Sequence, residues 1–242
     1  MDLLPLLFAP FVGSFLGVLV RRLPLARPVV LDRSRCEGCG AALAPRDLVP
    51  LVSYAVLRGC CRQCGRAIGR FHPAIELAAL AVAAWAVWAD SDAAWPDAAW
   101  PDCVLGWGLL ALAWIDWNHM RLPDALTLPL IPAGLAAAWW EDPGLAMDHA
   151  VAAAGGYLLF RGVAWAYRRL RGREGLGQGD AKLLAVAGAW VGVAGLSWVL
   201  LGGALIGLLL AAVRGRALAG APVPFGPPLA LALWIVRLHG PS

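Results

Sequence analysis

The sequence predicts an all-α polytopic membrane protein of about eight transmembrane helices, interrupted by one small polar insert, and three observations carry that expectation. Of its 242 residues 60% are apolar and 15% charged, and the mean hydropathy is +0.68, far from the composition of soluble globular domains. Apolar runs recur near 3–20, 74–90, 103–118, 125–140, 148–166, 181–192, 195–213 and 228–239, most of them close to the length that crosses about 30 Å of hydrocarbon. A single long polar stretch, 21–73, holds two closely spaced cysteine pairs.

The first run, LLPLLFAPFVGSFLGVLV, is expected to stay in the protein as a helix. It has no basic segment before it, Arg21 and Arg22 follow it, and no small-residue cleavage site is suitably placed, so it does not read as a signal peptide.

The insert carries Pro24, Pro28, Pro45 and Pro50 and little apolar periodicity, so it needs a staple of its own. Cys36-Glu-Gly-Cys39 and Cys61-Arg-Gln-Cys64 are each followed by glycine and stand 21 residues apart, the spacing at which four thiolates fold around tetrahedral Zn²⁺. Two disulfides or four idle thiols are the alternatives, but the charge pattern below puts the segment in the reducing cytosol. The expectation is a zinc-ribbon-like cytoplasmic insert whose four ligands close the site, making the metal structural. Cys60 is a possible rival ligand with the wrong spacing, and Cys103 reads as a small buried hydrophobe.

Among the later runs the pair 181–192 and 195–213 is special, since Gly192 and Gly195 leave room only for a tight turn and the first run is short for a full crossing. Seven spans instead of eight remain open there. Ten arginines lie in 21–72, followed by Arg121, the cluster Arg168, Arg169, Arg171 and Arg173, and the pair Arg214 and Arg216. The alternate links are acidic: Asp90, Asp92, Asp97 and Asp102 in one, Glu141, Asp142 and Asp148 in another. By the positive-inside rule the arginine links are cytoplasmic and the amino terminus is outside. Arg161 and Arg237 break the pattern, and their long stems can snorkel. Trp95, Trp100, Trp139 and Trp140 fall at outer helix ends, where an interfacial belt is expected.

Two carboxylates stand at cytoplasmic edges of apolar runs, Asp116 in WIDWNHMRLPDALTLP and Asp180 in GREGLGQGDAKLLAVAG. Ionisable groups beside a span persist where they pair, line a wet cavity or react. Asp124, following Pro123, reads as a helix N-cap. Gly175, Gly177 and Gly179 before Asp180 permit left-handed or close-approach backbone; the string lacks the Walker lysine pattern of a phosphate loop, while a flexible turn ending in an Asp cap stays open. If Asp116 and Asp180 meet, one proton is shared: the ionised member activates water and the neutral member hydrogen-bonds a scissile carbonyl. His72, His119, His149 and His239 lie at helix ends and offer no Ser-His-Asp grouping.

Several of these strings occur together and in order: GSFLGVLVRRLP, SRCEGCG, DLVPLVSYAVLRGCCRQCGRAI, HPAIE, IDWNHMRLPDALTLPL, GREGLGQGDAKLLAVAGAW and PVPFGPPLALA. Over nearly its whole length the chain resembles the bacterial type IV prepilin peptidases, intramembrane aspartic proteases of the inner membrane. The resemblance implies catalytic aspartates at Asp116 and Asp180, the second closing a GxGD motif of Gly177, Gln178, Gly179 and Asp180. It also implies cleavage of the basic leader from prepilins or the pseudopilins of type II secretion on the cytoplasmic side. Methylation of the new amino terminus by S-adenosylmethionine would follow, with metal at Cys36, Cys39, Cys61 and Cys64. The chain departs from the usual motifs at Gly17, where many relatives carry Asn, at Glu37, where Pro often follows the first cysteine, and at Cys60.

The implied partners are these protein substrates and the lipid bilayer, with no nucleic acid. A basic leader would dock on acids such as Glu76, Asp124 or Glu174, or on lipid headgroups. Glu76 is also a candidate for the methyl-transfer site, and is otherwise a helix-start acid favoured by the macrodipole. The organisation expected is a first helix at 1–20, the tetracysteine insert at 21–73 and a peptidase core at 74–242. A leader peptidase lacking methyl transfer, and a non-enzymatic scaffold or proton relay of pilus or secretion assembly, are the alternatives.

Overall fold

The computed structural model describes residues 3–29, 33–89, 99–172, 177–215 and 223–240, with side chains to 213 in the fourth segment. Asp90, Asp92, Trp95, Asp97, Arg173, Glu174, Gly175 and Arg216, and the side chain of Arg214, lie outside the described residues. Every apolar run became a helix, and among the described residues the extended backbone is limited to two isolated bridges, Arg35 with Ala42 and Cys60 with Ala67. Among the described residues three helical segments are long and apolar enough to cross a membrane: Leu4–Leu25, Phe71–Ala89 and Gln178–Val213. The chain divides into two compact units, Met1–Cys103 and Val104–Ser242.

In the first unit α1 (Leu4–Arg22) packs along α3 (Phe71–Ala89). Small residues set their distance: a Cβ on Gly13 would come within 2.6 Å of the Glu76 backbone, so only glycine lets the helices approach this closely. Between them the insert is less featureless than its prolines suggest. Two 3₁₀ turns, Leu23–Leu25 and Pro45–Asp47, and the short α2 (Val52–Val56) punctuate it. Leu51, which enters α2, has φ 58°, a left-handed conformation unusual for a branched apolar residue.

The second unit is built from most of α4 (Ala99–His119), α5 (Asp124–Glu141), α6 (Leu145–Arg171), α7 (Gln178–Gly215) and α8 (Gly226–His239). Helix α7 packs on α5, α6 and α8. Helix α5 stays helical through Pro129 and Pro132, as apolar helices with supporting neighbours can. Helix α6 outruns its apolar stretch at both ends and stops at Gly172, φ 68°, behind a last turn bearing Arg168, Arg169 and Arg171. A left-handed glycine and cations at the carboxyl end are both favourable terminators.

Helix α7 is two helices joined at Gly192, whose φ 64° and ψ −171° are non-helical and accessible essentially to glycine alone. The tight turn expected between the two runs is therefore one residue wide. Its opened backbone is satisfied from neighbouring helices. The Val193 N–H donates to Asp148 Oδ2 at 2.9 Å, and His149 Nδ1 lies 3.0 Å from the Ala189 carbonyl oxygen. Arg237 of α8 donates to the Trp190 carbonyl at 3.5 Å and pairs with Glu141. Arg237, an outlier in the charge pattern, thus has a carboxylate partner and need not be explained by snorkelling. Trp139 and Trp140 are exposed, while Trp100 stacks near Phe8 at 6.2 Å between centroids.

Candidate active site

Asp116 lies three residues before the end of α4, only 5% exposed. The chain leaves that helix through Met120, φ 53°, so a short link and not a longer helix follows the carboxylate. One oxygen, Oδ2, accepts the backbone N–H of Gly226 at 3.0 Å. Asp180 is the third residue of α7, and its carboxylate accepts the backbone N–H of Gly177, just before the helix. That bond is a reciprocal N-terminal cap. The two carboxylates are close enough to repel each other. Asp180 thus holds the start of its own helix and also lies within electrostatic reach of Asp116.

The glycines act here by close approach. Neither Gly177 nor Gly179 has positive φ. A Cβ on Gly179 would sit 2.8 Å from Leu122 Cβ, and one on Gly177 would sit 3.1 Å from Asp180 Oδ2. The missing side chain at 179 lets the α4–α5 link press against the start of α7, and the one at 177 leaves room for the Asp180 carboxylate. A second tie runs beside it, where Lys182 Nζ meets Asp124 Oδ1 at 2.5 Å. Asp124 is therefore not the N-cap of α5. Pro123 occupies that place, no side chain caps the helix, and Asp124 is its first residue.

In the first unit Glu76 departs from two of the roles expected of it, leader docking and helix start. It is 5% exposed, accepts the Leu51 N–H at 2.8 Å and bonds the Ser14 side chain. Lying in the second turn of α3, with no acid in the first, it is neither a helix-start acid nor an open docking site. It anchors the strained entry of α2.

The four cysteines Cys36, Cys39, Cys61 and Cys64 bring their sulfurs within 4.8 Å of one another, and Cys36 Sγ lies 3.9 Å from Cys64 Sγ. Both knuckles are built alike. Gly40 N bonds Cys36 O and Cys36 N bonds Ala41 O; likewise Gly65 N bonds Cys61 O and Cys61 N bonds Arg66 O. Gly40 and Gly65 have φ 71° and 67°, the left-handed turn that glycine permits. Tetrahedral Zn–S bonds of about 2.3 Å require sulfurs about 3.8 Å apart, which the Cys36–Cys64 separation meets.

Backbone N–H groups of Cys39 and Gly38 hold the Cys36 thiol down to about 6. At Cys64 the Arg66 backbone acts likewise but is outweighed by desolvation and the other three sulfurs, which push it up to about 11. Thiols so mutually opposed ionise together only around a cation. The cluster is thus able to hold a metal. None of the six cysteines forms a disulfide, Cys60 points to the Arg58 carbonyl at 3.7 Å, and Cys103 is fully buried. Arg62–Asp47 at 2.8 Å and an Arg21–Glu37 pair tie the knuckles to their surroundings.

The described residues thus make a helical protein with spans long and apolar enough to cross a membrane and a tetracysteine cluster able to hold a metal. A family model described as the bacterial peptidase A24 N-terminal domain matches residues 7–89, and one described as the type IV leader peptidase family matches 103–212. A prepilin leader peptidase/N-methyltransferase of Pseudomonas aeruginosa is 38% identical, covering 97% of this chain and 89% of the relative. Similarly named relatives are 40% identical in Burkholderia pseudomallei, over 90% of this chain and 79% of theirs, and 36% identical in Aeromonas hydrophila, over 98% and 90%. The chain belongs to the type IV leader peptidase family. No solved structure matches it.

Proposed function

We propose that this protein cleaves the basic leader peptide from type IV prepilins or pseudopilins and N-methylates the residue so exposed, with Asp116 and Asp180 as the peptidase pair. The mutual approach of these two carboxylates, from the ends of different helices, carries the reading. In the reaction the ionised member takes a proton from water, the hydroxide adds to the scissile carbonyl carbon, and the neutral member gives its proton to the carbonyl oxygen. Collapse of the resulting diol, with protonation of the leaving nitrogen, breaks the C–N bond. Gly177 and Gly179 keep the loop close-packed around Asp180. S-adenosylmethionine supplies the methyl group in the second activity.

The topology belongs to the same proposal: eight crossings of the bacterial inner membrane, amino terminus outside, and insert, Asp116 and Asp180 facing the cytosol. It follows from the arginine-rich links. The helix 1–20 and the insert 21–73 then precede a peptidase core in 74–242, and Cys36, Cys39, Cys61 and Cys64 hold a structural Zn²⁺. Leader docking falls to Asp124, Glu174 or lipid headgroups, because Glu76 is engaged with Leu51.

The test is cleavage of a prepilin by purified, detergent-solubilised protein with S-adenosylmethionine present, read by mass spectrometry. Wild type should release the leader and leave a product one methyl group heavier; folded Asp116→Asn and Asp180→Asn should do neither. Cleavage surviving either substitution overturns the pair. Cleavage without methyl gain leaves a peptidase alone, and no cleavage of several prepilins favours a scaffold or relay.

A further inference from the structure

We infer that Gly226 is a positioning residue for Asp116, and that the Pro224–Pro228 turn, outside the residues matched by the family models, forms a third wall of the peptidase site. The inference rests on the peptidase reading above and extends it to a part of the chain that reading does not use.

Three observations converge. First, Gly226 N–H donates to Asp116 Oδ2 at 3.0 Å, and donor and acceptor are both buried. Second, this N–H is singular. An α-helix begins with four N–H groups lacking helical partners, those of the cap residue and of the first three positions, but positions two and three of α8 are Pro227 and Pro228, which have none. Leu229, the fourth position, makes the first helical bond, to the Phe225 carbonyl at 3.2 Å. Within the first turn of α8 the Gly226 N–H is therefore the one without a helical partner, and it goes to Asp116. Third, no larger residue fits, because a Cβ on Gly226 would stand 2.6 Å from Asp116 Oδ2.

The turn is itself held. The Phe225 ring centroid lies 6.3 Å from that of Phe160 on α6, and a Cβ on Gly207 of α7 would touch the Phe225 ring at an ordinary 3.4 Å. Leu229 is fully buried. With Oδ2 fixed by Gly226, the other oxygen of Asp116 is the one left to exchange a proton with the hydrolytic water. Geometry of this kind is rate-determining, since a displacement near 1 Å lowers turnover about a hundredfold.

Two variants of the full chain test this. Gly226→Ala should lower kcat for prepilin cleavage about a hundredfold with KM within about twofold, and should leave methylation of an already cleaved pilin peptide at the wild-type rate. An ester in place of the Phe225–Gly226 amide removes the N–H without adding an atom, and should lower kcat about tenfold to a hundredfold. Gly155→Ala, on the exposed side of α6 where a Cβ would meet nothing within 4 Å, serves as the control with cleavage unchanged. Wild-type kcat in the ester protein overturns the inference even if Gly226→Ala fails to fold. So does a parallel fall in cleavage, methylation and thermal midpoint in both variants, which marks Gly226 as merely structural. A wild-type protein that cleaves no prepilin refutes the peptidase reading itself and the inference with it.

Discussion

Each aspartate of the pair is held by one backbone N–H at the start of a helix, Asp116 by Gly226 and Asp180 by Gly177. Side-chain partners are easier to anticipate from sequence than such backbone donors, which carry no residue signature. The places of Asp116 and Asp180 near helix ends were legible because carboxylates at the edges of apolar runs stand out; the Gly226 contact was not, because it depends on a fold that spans 110 positions. The same separation explains Asp124. Its place after Pro123 reads as a cap, but the deciding group, Lys182, is 58 residues on. That ion pair is half open to solvent, with side-chain exposures of 23% and 57%, so Asp124→Asn should change unfolding free energy by less than about 1 kcal/mol. Thermal melting in detergent checks this, and a loss several times larger would show that the pair bears structural load.

At the scale of elements the joint within α7 is the most constrained point. Gly192→Ala would force φ 64° on a residue with a Cβ directed into Asp148. The backbone strain alone is of order 1–3 kcal/mol, so the variant should melt measurably lower than wild type; an unchanged midpoint would mean that the joint relaxes freely. Asp148→Ala removes the acceptor for Val193 N–H and should cost about 1 kcal/mol, as other N-cap losses do. The sequence showed where the joint lies, since Gly192 and Gly195 interrupt an apolar stretch. It did not show what closes it, because Asp148, His149 and Arg237 come from other helices and read in isolation as outer-end polar residues.

For the molecule as a whole, the apolar runs were legible from hydropathy alone, whereas the division into units of 1–103 and 104–242 was not. The polar insert stands out by composition, and the helices on either side of it, α1 and α3, pack together, so both fall in one unit. Metal should matter to the insert and little to the second unit. Chelation of bound Zn²⁺ should raise hydrogen exchange across 34–67 while α5–α8 stay protected; uniform protection would refute a structural metal. A metal held by these four sulfurs must displace their protons, so zinc uptake should release protons and weaken as pH falls. Metal titrations at several pH values check the sign, and affinity independent of pH would contradict thiolate ligation.

The double duty of Asp180 decides how a silent form of the protein should be made. Alanine there would remove the acceptor for the Gly177 N–H along with the reactive group, so inactivity would be confounded with a frayed α7. Asparagine keeps an acceptor oxygen and leaves the helix start intact. Asp180→Asn is accordingly the decoy of choice: a protein that should still seize an uncut substrate and hold it long enough for the pair to be seen together.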